Sequence, residues 1–198
     1  MLTPVSTTNM PHKKPKPMSD WHFRVMVWLY KLTDLFSNPE RHLEKMPLRE
    51  GMVVVDYGCG PGRYTIPIAE LIGPQGKVFA VDIQPLAVKL VKEKAALRSL
   101  ANIESVLVDS FDTGIRASTA DMVLLIDTVH LIDDHDALFH EIRRILKPNG
   151  LLFMDSGHMK TERVKQIVES TGLFTLVEQK GQDMLLTKEP TKEKKKVR

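Results

Sequence analysis

The sequence predicts an α/β fold, a doubly wound seven-strand sheet with five parallel strands, a C-terminal antiparallel hairpin and helices on both faces. Short β-branched or apolar runs alternate with helical patterns between residues 52 and 154, an order that produces parallel strands joined by helical crossovers. Each of the five runs is followed or closed by an aspartate. Two final apolar runs flank Gly181, which is the pattern of a hairpin.

The first two strands and their helices have clear end signals. A strand over Met52 to Asp56 precedes a helix over Tyr64 to Ile72, which Gly73 and Pro74 end. A second strand covers Lys77 to Asp82, and a helix follows from Pro85 to Arg98. Proline fits the first turn of that helix because its missing N–H would have no partner there.

The remaining elements continue the alternation. A helix from about Asp134 to Leu146 carries an apolar face, and Pro148-Asn149-Gly150 is its expected stop. A helix over Thr161 to Thr171 precedes the hairpin. The five other predicted strands are Ile103 to Val108, Met122 to Ile126, Leu151 to Met154, Phe174 to Gln179 and Asp183 to Thr187.

The charge is concentrated at the chain ends. The 198 residues carry a net charge of +3, but residues 1–17 carry +3 and residues 188–198 carry +4, which leaves −4 for residues 18–187. Nucleic-acid binding requires clustered basic side chains on a structured face, so a stable nucleic-acid complex is not expected. The single cysteine excludes an internal disulfide and favours a reducing cytoplasm.

We divide the chain into four segments. Residues 1–17 and 189–198 are expected to be disordered basic tails, residues 18–48 an N-terminal helical lid, and residues 49–188 the core. The lid shows an apolar helical stripe of Trp21, Val25, Trp28, Leu32 and Leu35, widened by Met26, Leu29 and Phe36. It would cover a site, pack on the core helices, or lie on a membrane surface. No stretch has the length of a transmembrane segment.

Three glycines follow the first strand at alternate positions, in Asp56-Tyr57-Gly58-Cys59-Gly60-Pro61-Gly62. Glycine permits a sharp turn and lets a ligand approach the amides at the start of a helix. A dinucleotide fingerprint would require glycine at position 63, which is Arg63, and no Walker-type Lys-Ser/Thr pair is present. Cys59 is interpreted as a small packed residue rather than a nucleophile.

Four carboxylates end or follow successive strands, namely Asp56, Asp82, Asp109 and Asp127. Strand ends of this kind meet at one edge of the sheet, where ligands bind beside the point of strand-order reversal. A negative rim favours a ligand with amines, hydroxyls and positive charge over a pyrophosphate. The second of these acids, 20 residues beyond Gly62, is placed to accept hydrogen bonds from ribose hydroxyls.

These segments resemble the class I S-adenosylmethionine-dependent methyltransferases over about residues 50 to 188. The resemblance rests on VVVDYGCGPGRYT, VFAVDIQP, VLVDSF, ADMVLLIDTVH and LKPNGLLFMD, which occur in the family's order. It implies S-adenosylmethionine as cofactor. It also implies site roles: the Asp56 to Gly62 loop around the methionine, Asp82 on the ribose, Ile83 on the adenine, Asp109 or Ser110 at the adenine amine, and Asp127 near the methyl group.

Each role has a structural alternative. Asp56 could cap the turn amides, Asp82 could be a solvated loop acid, Asp109 could form an Asx turn, and Asp127 could be a local cap. The predicted catalytic residues are His130, His158 and Asp155, which follow the fourth and fifth strands; either histidine could instead serve packing or be solvated. No metal site is predicted, because Asp133-Asp134-His135-Asp136 suits a helix N-terminus.

The favoured function is in-line methyl transfer to a small-molecule acceptor. A protein or RNA acceptor, an NAD-dependent oxidoreductase and a non-catalytic nucleotide-binding protein remain as alternatives. The connections after the predicted fourth and fifth strands are short, so only the N-terminal segment remains to cover the site and select the acceptor. The oligomeric state is open, with a homodimer allowed.

Overall fold

The computed structural model describes residues 16–33 and 40–190. Its seven strands form one sheet in the order β3-β2-β1-β4-β5-β7-β6. The strands are β1 (Val53–Tyr57), β2 (Lys77–Asp82), β3 (Ile103–Leu107), β4 (Ala120–Leu125), β5 (Leu146–Asp155), β6 (Phe174–Lys180) and β7 (Asp183–Lys188). The helices of eight or more residues are α1 (Asp20–Thr33), α3 (Thr65–Ile72), α4 (Pro85–Leu97), α5 (His135–Ile145) and α6 (Thr161–Thr171), and the short α2 spans Glu40–Leu43.

The sheet confirms the predicted topology. Strands β1 to β5 pair in parallel, and β7 pairs antiparallel with both β5 and β6. The chain winds outward from β1 through β2 to β3, then returns to place β4 on the other side of β1. The strand order therefore reverses between β1 and β4, the place where open α/β sheets bind ligands.

Two apolar layers cover the sheet, one on each face. On one face, Val55 packs in a cluster with Leu138 of α5 and Val164 of α6. On the other face, its neighbour Val54 packs with Ile68 of α3. Adjacent strand residues point to opposite faces, so burial of both explains why these strands are continuous apolar runs rather than alternating ones.

The approach to β5 differs from the prediction. Pro148-Asn149-Gly150 does not form a stop outside the sheet, because α5 ends at Ile145 and β5 begins at Leu146. Leu146 pairs with Ala120, and the register then shifts before Leu151 pairs with Met122. A Cβ atom on Gly150 would lie 2.9 Å from the Ala120 carbonyl oxygen. Glycine therefore permits the close backbone approach within this irregular stretch.

Helix α1 faces the core with a side that was not predicted. Trp21, Val25 and Trp28 are exposed, whereas Phe23 is 2% exposed. The main stripe therefore points to solvent, whereas Met26, which was predicted to widen it, is half-buried and lines the cavity described below. The part of the stripe beyond Thr33, with the side chain of Leu32, lies outside the described residues. Phe23 and Met26 form a second, shorter apolar side of the helix, and this side faces the cavity.

Two polar contacts fasten the N-terminal segment to the core. Gln84 Nε2 donates a hydrogen bond of 3.0 Å to Asp20 Oδ1, which joins α1 to the loop after β2. Lys45 Nζ and His42 Nδ1 lie 2.5 and 3.1 Å from the carboxylate oxygens of Asp183, at the start of β7. The contacts with His42 and Lys45 outweigh burial and hold the pKa of Asp183 below its usual value.

The C-terminal core extends past β7. The amide of Glu189 donates to the Leu173 carbonyl oxygen, and Arg143 donates to the Glu189 carbonyl oxygen. The predicted disorder of the two tails concerns residues that lie outside the described part, except for residues 16–17 and 189–190. Within the described part, no helix combines the length and apolarity that crossing a membrane requires.

Candidate cofactor-binding site

A cavity of about 460 Å³ lies at the carboxyl ends of β1, β2 and β4, where the strand order reverses. Its volume is within the range of small-molecule sites. The glycine loop forms one wall, and Phe23 and Met26 of α1 form another. The sequence-predicted residues in its lining are Gly58, Cys59, Gly60, Asp82, Ile83 and Asp127.

The glycine loop is held between the neighbouring loops. The amides of Gly58 and Cys59 both donate to the Val81 carbonyl oxygen, at 2.8 and 3.0 Å. Gly58 has a φ of 80°, and a Cβ atom there would lie 2.5 Å from Thr128 Oγ1 and 2.7 Å from Thr128 Cγ2. Glycine is therefore required both by the left-handed backbone and by contact with the loop after β4.

Asp82 fixes the loop and keeps acceptor capacity. Its Oδ2 accepts a hydrogen bond of 2.8 Å from the Gly60 amide, and its Oδ1 accepts one of 2.8 Å from the Gln84 amide. A carboxylate offers about four acceptor sites, so both oxygens can accept a further donor. Burial raises the pKa of this carboxyl, although the backbone hydrogen bonds that it accepts oppose the shift.

Asp56 lies behind the glycine loop and outside the cavity lining. It is 3% exposed, and its Oδ2 accepts a hydrogen bond of 2.5 Å from Thr65 Oγ1 at the start of α3. Burial raises its pKa to about 6, although the Thr65 hydrogen bond opposes the shift and the Asp82 charge adds to it. The position suits a residue that fastens β1 to α3.

The loop after β3 contributes apolar residues. Val108 and Phe111 line the cavity, and Ile83 faces it from the β2 side. Asp109 is exposed and, like Ser110, lies outside the lining. Ile83, Val108 and Phe111 therefore form an apolar slot that suits a flat ring. Asp109 and Ser110, which were predicted to contact the adenine amine, are not part of this slot.

Asp127 connects the cavity to the predicted catalytic residues. It lines the cavity and has a φ of 52°, which is uncommon for a residue with a side chain. Its amide donates a hydrogen bond of 2.8 Å to Asp155 Oδ1. Its Oδ1 lies 3.9 Å from His130 Nδ1 and 3.5 Å from His158 Nε2.

His130, His158 and Asp155 surround Asp127 without lining the cavity themselves. The two imidazole rings meet edge to face with centroids 4.8 Å apart. His130 is mostly buried and His158 is 79% exposed. Burial lowers the pKa of His130 and raises that of Asp155. The histidines reach the cavity through the Asp127 carboxylate, and Asp155 holds the backbone of that residue.

The structure also tests the sequence interpretations of Cys59 and of the acidic cluster before α5. Cys59 is buried, and burial raises the pKa of its thiol well above the usual value, so the reactive thiolate is disfavoured. Asp134 Oδ1 accepts a hydrogen bond of 3.0 Å from the Ala137 amide. This contact confirms that the acidic cluster supplies the N-cap of α5.

Several lining residues were not singled out from the sequence as part of the site. Tyr57, Tyr64 and Gln84 line the cavity, and Arg63 stands there with its guanidinium 5.6 Å from the Tyr64 ring centroid. Gln84 is 3% exposed, and its Oε1 has no hydrogen-bond partner in the part of the chain that the structure describes. The sequence signal that could have identified them is their position: Arg63 directly follows the glycine loop, and Gln84 lies two residues after Asp82.

These residues fit a nucleoside cofactor that carries hydroxyls and amines. The carboxylate of Asp82 and the Gln84 carbonyl oxygen supply acceptors, Ile83 and Phe111 supply apolar walls, and Arg63 supplies a positive charge. The glycine loop lacks the fingerprint that binds the pyrophosphate of a dinucleotide, because position 63 is arginine and not glycine. Fold and site together define a class I, Rossmann-like cofactor-binding domain of the S-adenosylmethionine type.

The chain belongs to the methyltransferase-domain family, whose model matches residues 48–194. Its cofactor is S-adenosylmethionine, in agreement with the fold and with the solved structures that it resembles. A structure of an S-adenosylmethionine-dependent methyltransferase from Aquifex aeolicus matches with a TM-score of 0.66 and 26% identity, over 75% of this chain and 87% of that one.

Two curated relatives add chemical context. Nocamycin O-methyltransferase of Saccharothrix syringae is 33% identical over 131 residues, which are 65% of this chain and 47% of that protein. Demethylmenaquinone methyltransferase of Staphylococcus aureus strain JH9 is 28% identical over 113 residues, which are 57% of this chain and 46% of that protein. The chain spans about half the length of these relatives.

Proposed function

We propose that the chain transfers a methyl group from S-adenosylmethionine to a small organic acceptor that presents a hydroxyl group. The observation that carries the proposal is the Asp82 carboxylate, which lies in the wall of the switch-point cavity and keeps acceptor sites beside the Gly60 amide. This arrangement suits the two hydroxyls of an unphosphorylated ribose and repels a 2′-phosphate.

The described residues would hold the cofactor in three parts. Asp82 would accept the ribose hydroxyls, Ile83 would pack on the adenine, and the loop 58–62 would surround the methionine. Arg63 lies in the cavity lining, where its charge suits the methionine carboxylate. Asp109 or Ser110 could meet the adenine amine only if the loop after β3 turned inward, and Gln84 Oε1 is an alternative acceptor inside the cavity.

Alignment and exclusion of water supply much of the rate in this chemistry. When bound, the cofactor supplies a methyl group on a sulfonium, which is a strong electrophile. Phe23, Met26, Leu131 and Ile132 provide an apolar wall around the cavity, and such a wall favours a desolvated, oriented acceptor. We propose that α1 forms the lid over this site.

A hydroxyl acceptor must lose its proton as the methyl carbon bonds to oxygen. Asp127 lines the cavity and faces both His130 and His158, so these three side chains form the proton-accepting cluster of the proposal. Burial lowers the pKa of His130, which favours the neutral imidazole, the form that can take a proton. Asp155 acts through its hydrogen bond to the Asp127 amide.

The apolar wall of the cavity also indicates the chemical class of the acceptor. The relatives are named for an O-methylated natural product and for demethylmenaquinone, both small organic molecules, and the apolar lid side of this cavity favours such an acceptor over an amine-rich one. The negative charge of residues 18–187 supports the absence of a stable nucleic-acid complex. One cysteine, free and buried, is compatible with a reducing, cytoplasmic location.

Methyl transfer is tested with the full chain and S-adenosylmethionine labelled in its methyl group. Panels of phenols and enols, matched amines, and unrelated protein and RNA are supplied as acceptors. We expect label in hydroxyl-bearing small molecules. Label found only in protein or RNA would contradict the small-molecule proposal, and label found only in amines would contradict the hydroxyl acceptor.

A further inference from the structure

The three side chains around the Asp127 carboxylate form a donor set that suits a metal ion. Asp127 Oδ1, His130 Nδ1 and His158 Nε2 each offer one ligand atom, and these atoms all lie within 4.8 Å of one another. The two distances from the carboxylate oxygen are 3.9 Å to His130 and 3.5 Å to His158. Tetrahedral zinc with bonds of about 2.0 to 2.1 Å separates its ligand atoms by roughly 3.4 Å. The two separations from Asp127 Oδ1 are within about 0.5 Å of this spacing. The two histidine nitrogens lie within 4.8 Å of each other, so binding requires the exposed His158 ring to turn toward His130.

His130 Nδ1 provides an independent sign of a missing partner. The atom is buried and makes no hydrogen bond to any residue that the structure describes. A buried ring nitrogen without a partner has a desolvation cost.

The backbone around the cluster leaves room for an ion. A Cβ atom on Gly157 would lie 2.8 Å from His130 Nδ1 and 3.4 Å from Asp127 Oδ1, so the glycine keeps the space between these two atoms open. Asp127 adopts a left-handed φ of 52°, and Asp155 fixes its amide at 2.8 Å. His158 is exposed, so its ring can adjust by rotation to complete the site.

We propose that Asp127, His130 and His158 bind a divalent transition-metal ion of the zinc type. Two imidazoles and one carboxylate are the protein ligands of many catalytic zinc and other transition-metal sites, which keep an open coordination position. Asp127 lines the cavity, so the open position would face the acceptor. With the ion bound, the three side chains would hold it instead of accepting the proton of the acceptor, so the proton-accepting role proposed above applies to the metal-free site. The ion's role in holding an acceptor oxygen rests on the proposed function, whereas its binding does not.

Metal binding is tested by titrating the full, tag-free chain with Co²⁺, whose visible absorption reports its coordination, and by displacing it with Zn²⁺. We expect one equivalent of Co²⁺ to bind. His158→Gln and His130→Asn should weaken binding about tenfold or more, since even the loss of residues that only orient ligands costs this much. His140 is exposed on α5, so His140→Gln is the matched control and should bind as the unaltered chain does.

Two results would overturn the proposed site. One is the absence of stoichiometric Co²⁺ or Zn²⁺ binding by the unaltered chain, and the other is a His158→Gln variant that binds the ion unchanged. Since the His158 side chain is 79% exposed, this variant should fold, which its thermal unfolding verifies. Binding of S-adenosylhomocysteine in the presence of EDTA is measured separately. Loss of S-adenosylhomocysteine binding would contradict only the proposed function. A chain that binds S-adenosylhomocysteine but no metal would contradict only the proposed metal site.

Discussion

The amide of Gly60 donates a hydrogen bond of 2.8 Å to Asp82 Oδ2, so the end of the second strand holds the glycine loop that follows the first. The contact joins two residues 22 positions apart and places a carboxylate beside the backbone of the glycine loop in the cavity wall. The same side chain therefore shapes the loop and presents acceptors to a ribose.

Replacing Asp82 with asparagine should weaken binding of S-adenosylhomocysteine by roughly tenfold to a hundredfold. The amide nitrogen of asparagine cannot accept a hydrogen bond, and a hydrogen bond to a charged group contributes about 1.5 to 3 kcal/mol. Isothermal titration calorimetry measures the change. Asp112→Asn is the control, because the Asp112 side chain is 78% exposed and lies outside the cavity lining. Equal affinities for Asp82→Asn and the unaltered chain would remove Asp82 from the site.

Gly58→Ala should destabilise the fold by about 2 kcal/mol or more. An alanine would combine a left-handed backbone, which costs roughly 1 to 2 kcal/mol, with a Cβ contact of 2.5 Å to Thr128 Oγ1. Gly60→Ala is the comparison, because a Cβ there meets nothing within 4 Å and only the backbone term applies. Urea unfolding measures both changes.

A double variant separates the two causes at Gly58. Thr128→Ala removes the two nearest atoms, so it should recover part of the stability lost in Gly58→Ala, and the double variant should lose less stability than the sum of the two single losses. Strictly additive losses in the double variant would show that Gly58 and Thr128 do not press on each other.

Because of Asp56, the free energy of unfolding should decrease as the pH rises from 4 to 7. Its pKa in the folded chain is about 6, above the usual 3.8, so the folded state holds the proton more tightly. Its stabilising contribution is complete below about pH 3.8 and is lost as the pH rises through 6. The full change is about 3 kcal/mol, from 1.36 kcal/mol for each pKa unit.

Asp56→Asn should remove this pH dependence. The variant should gain stability relative to the unaltered chain as the pH rises, measured by urea unfolding between pH 4 and 7. Asp112→Asn serves as the control, because the Asp112 side chain is 78% exposed. A constant difference between Asp56→Asn and the unaltered chain over this range would contradict the raised pKa.

Phe23→Ala should release α1 from the cavity and weaken cofactor binding. Phe23 is 2% exposed and lines the cavity, whereas Trp21 on the same helix is 71% exposed. Trypsin cleavage after the exposed Arg24 reports the docking of the helix. We expect S-adenosylhomocysteine to slow cleavage in the unaltered chain and in Trp21→Ala, but not in Phe23→Ala. Equal protection of all three would show that α1 is not a lid.

The sequence predicts the sheet well because its signals are local. β-Branched runs, end signals such as Gly73-Pro74 and the glycine loop depend on neighbouring residues. Six of the seven strands and the four predicted core helices appear within two residues of their predicted bounds. The start of β5 was missed because Leu146 pairs with Ala120, a contact between distant segments that no local pattern encodes.

The site was predicted in part, for a similar reason. Asp82 and the glycine loop are recognisable from spacing, and the structure places both at the cavity. Periodicity shows that α1 has apolar sides but does not show which side faces the core, so Phe23 was missed in favour of Trp21 and Trp28. The approach of His158 to Asp127 joins two loops, and only the folded chain reveals it.

Thermal unfolding with added ligand tests the central claim most directly. At about 100 times its Kd, a ligand adds about 2.7 kcal/mol to the free energy of unfolding, which raises the Tm of a domain of this size by roughly 5 to 10 °C. We predict such a rise with S-adenosylhomocysteine and none with NAD at the same concentration. A rise with NAD and none with S-adenosylhomocysteine would contradict the assignment of the cavity.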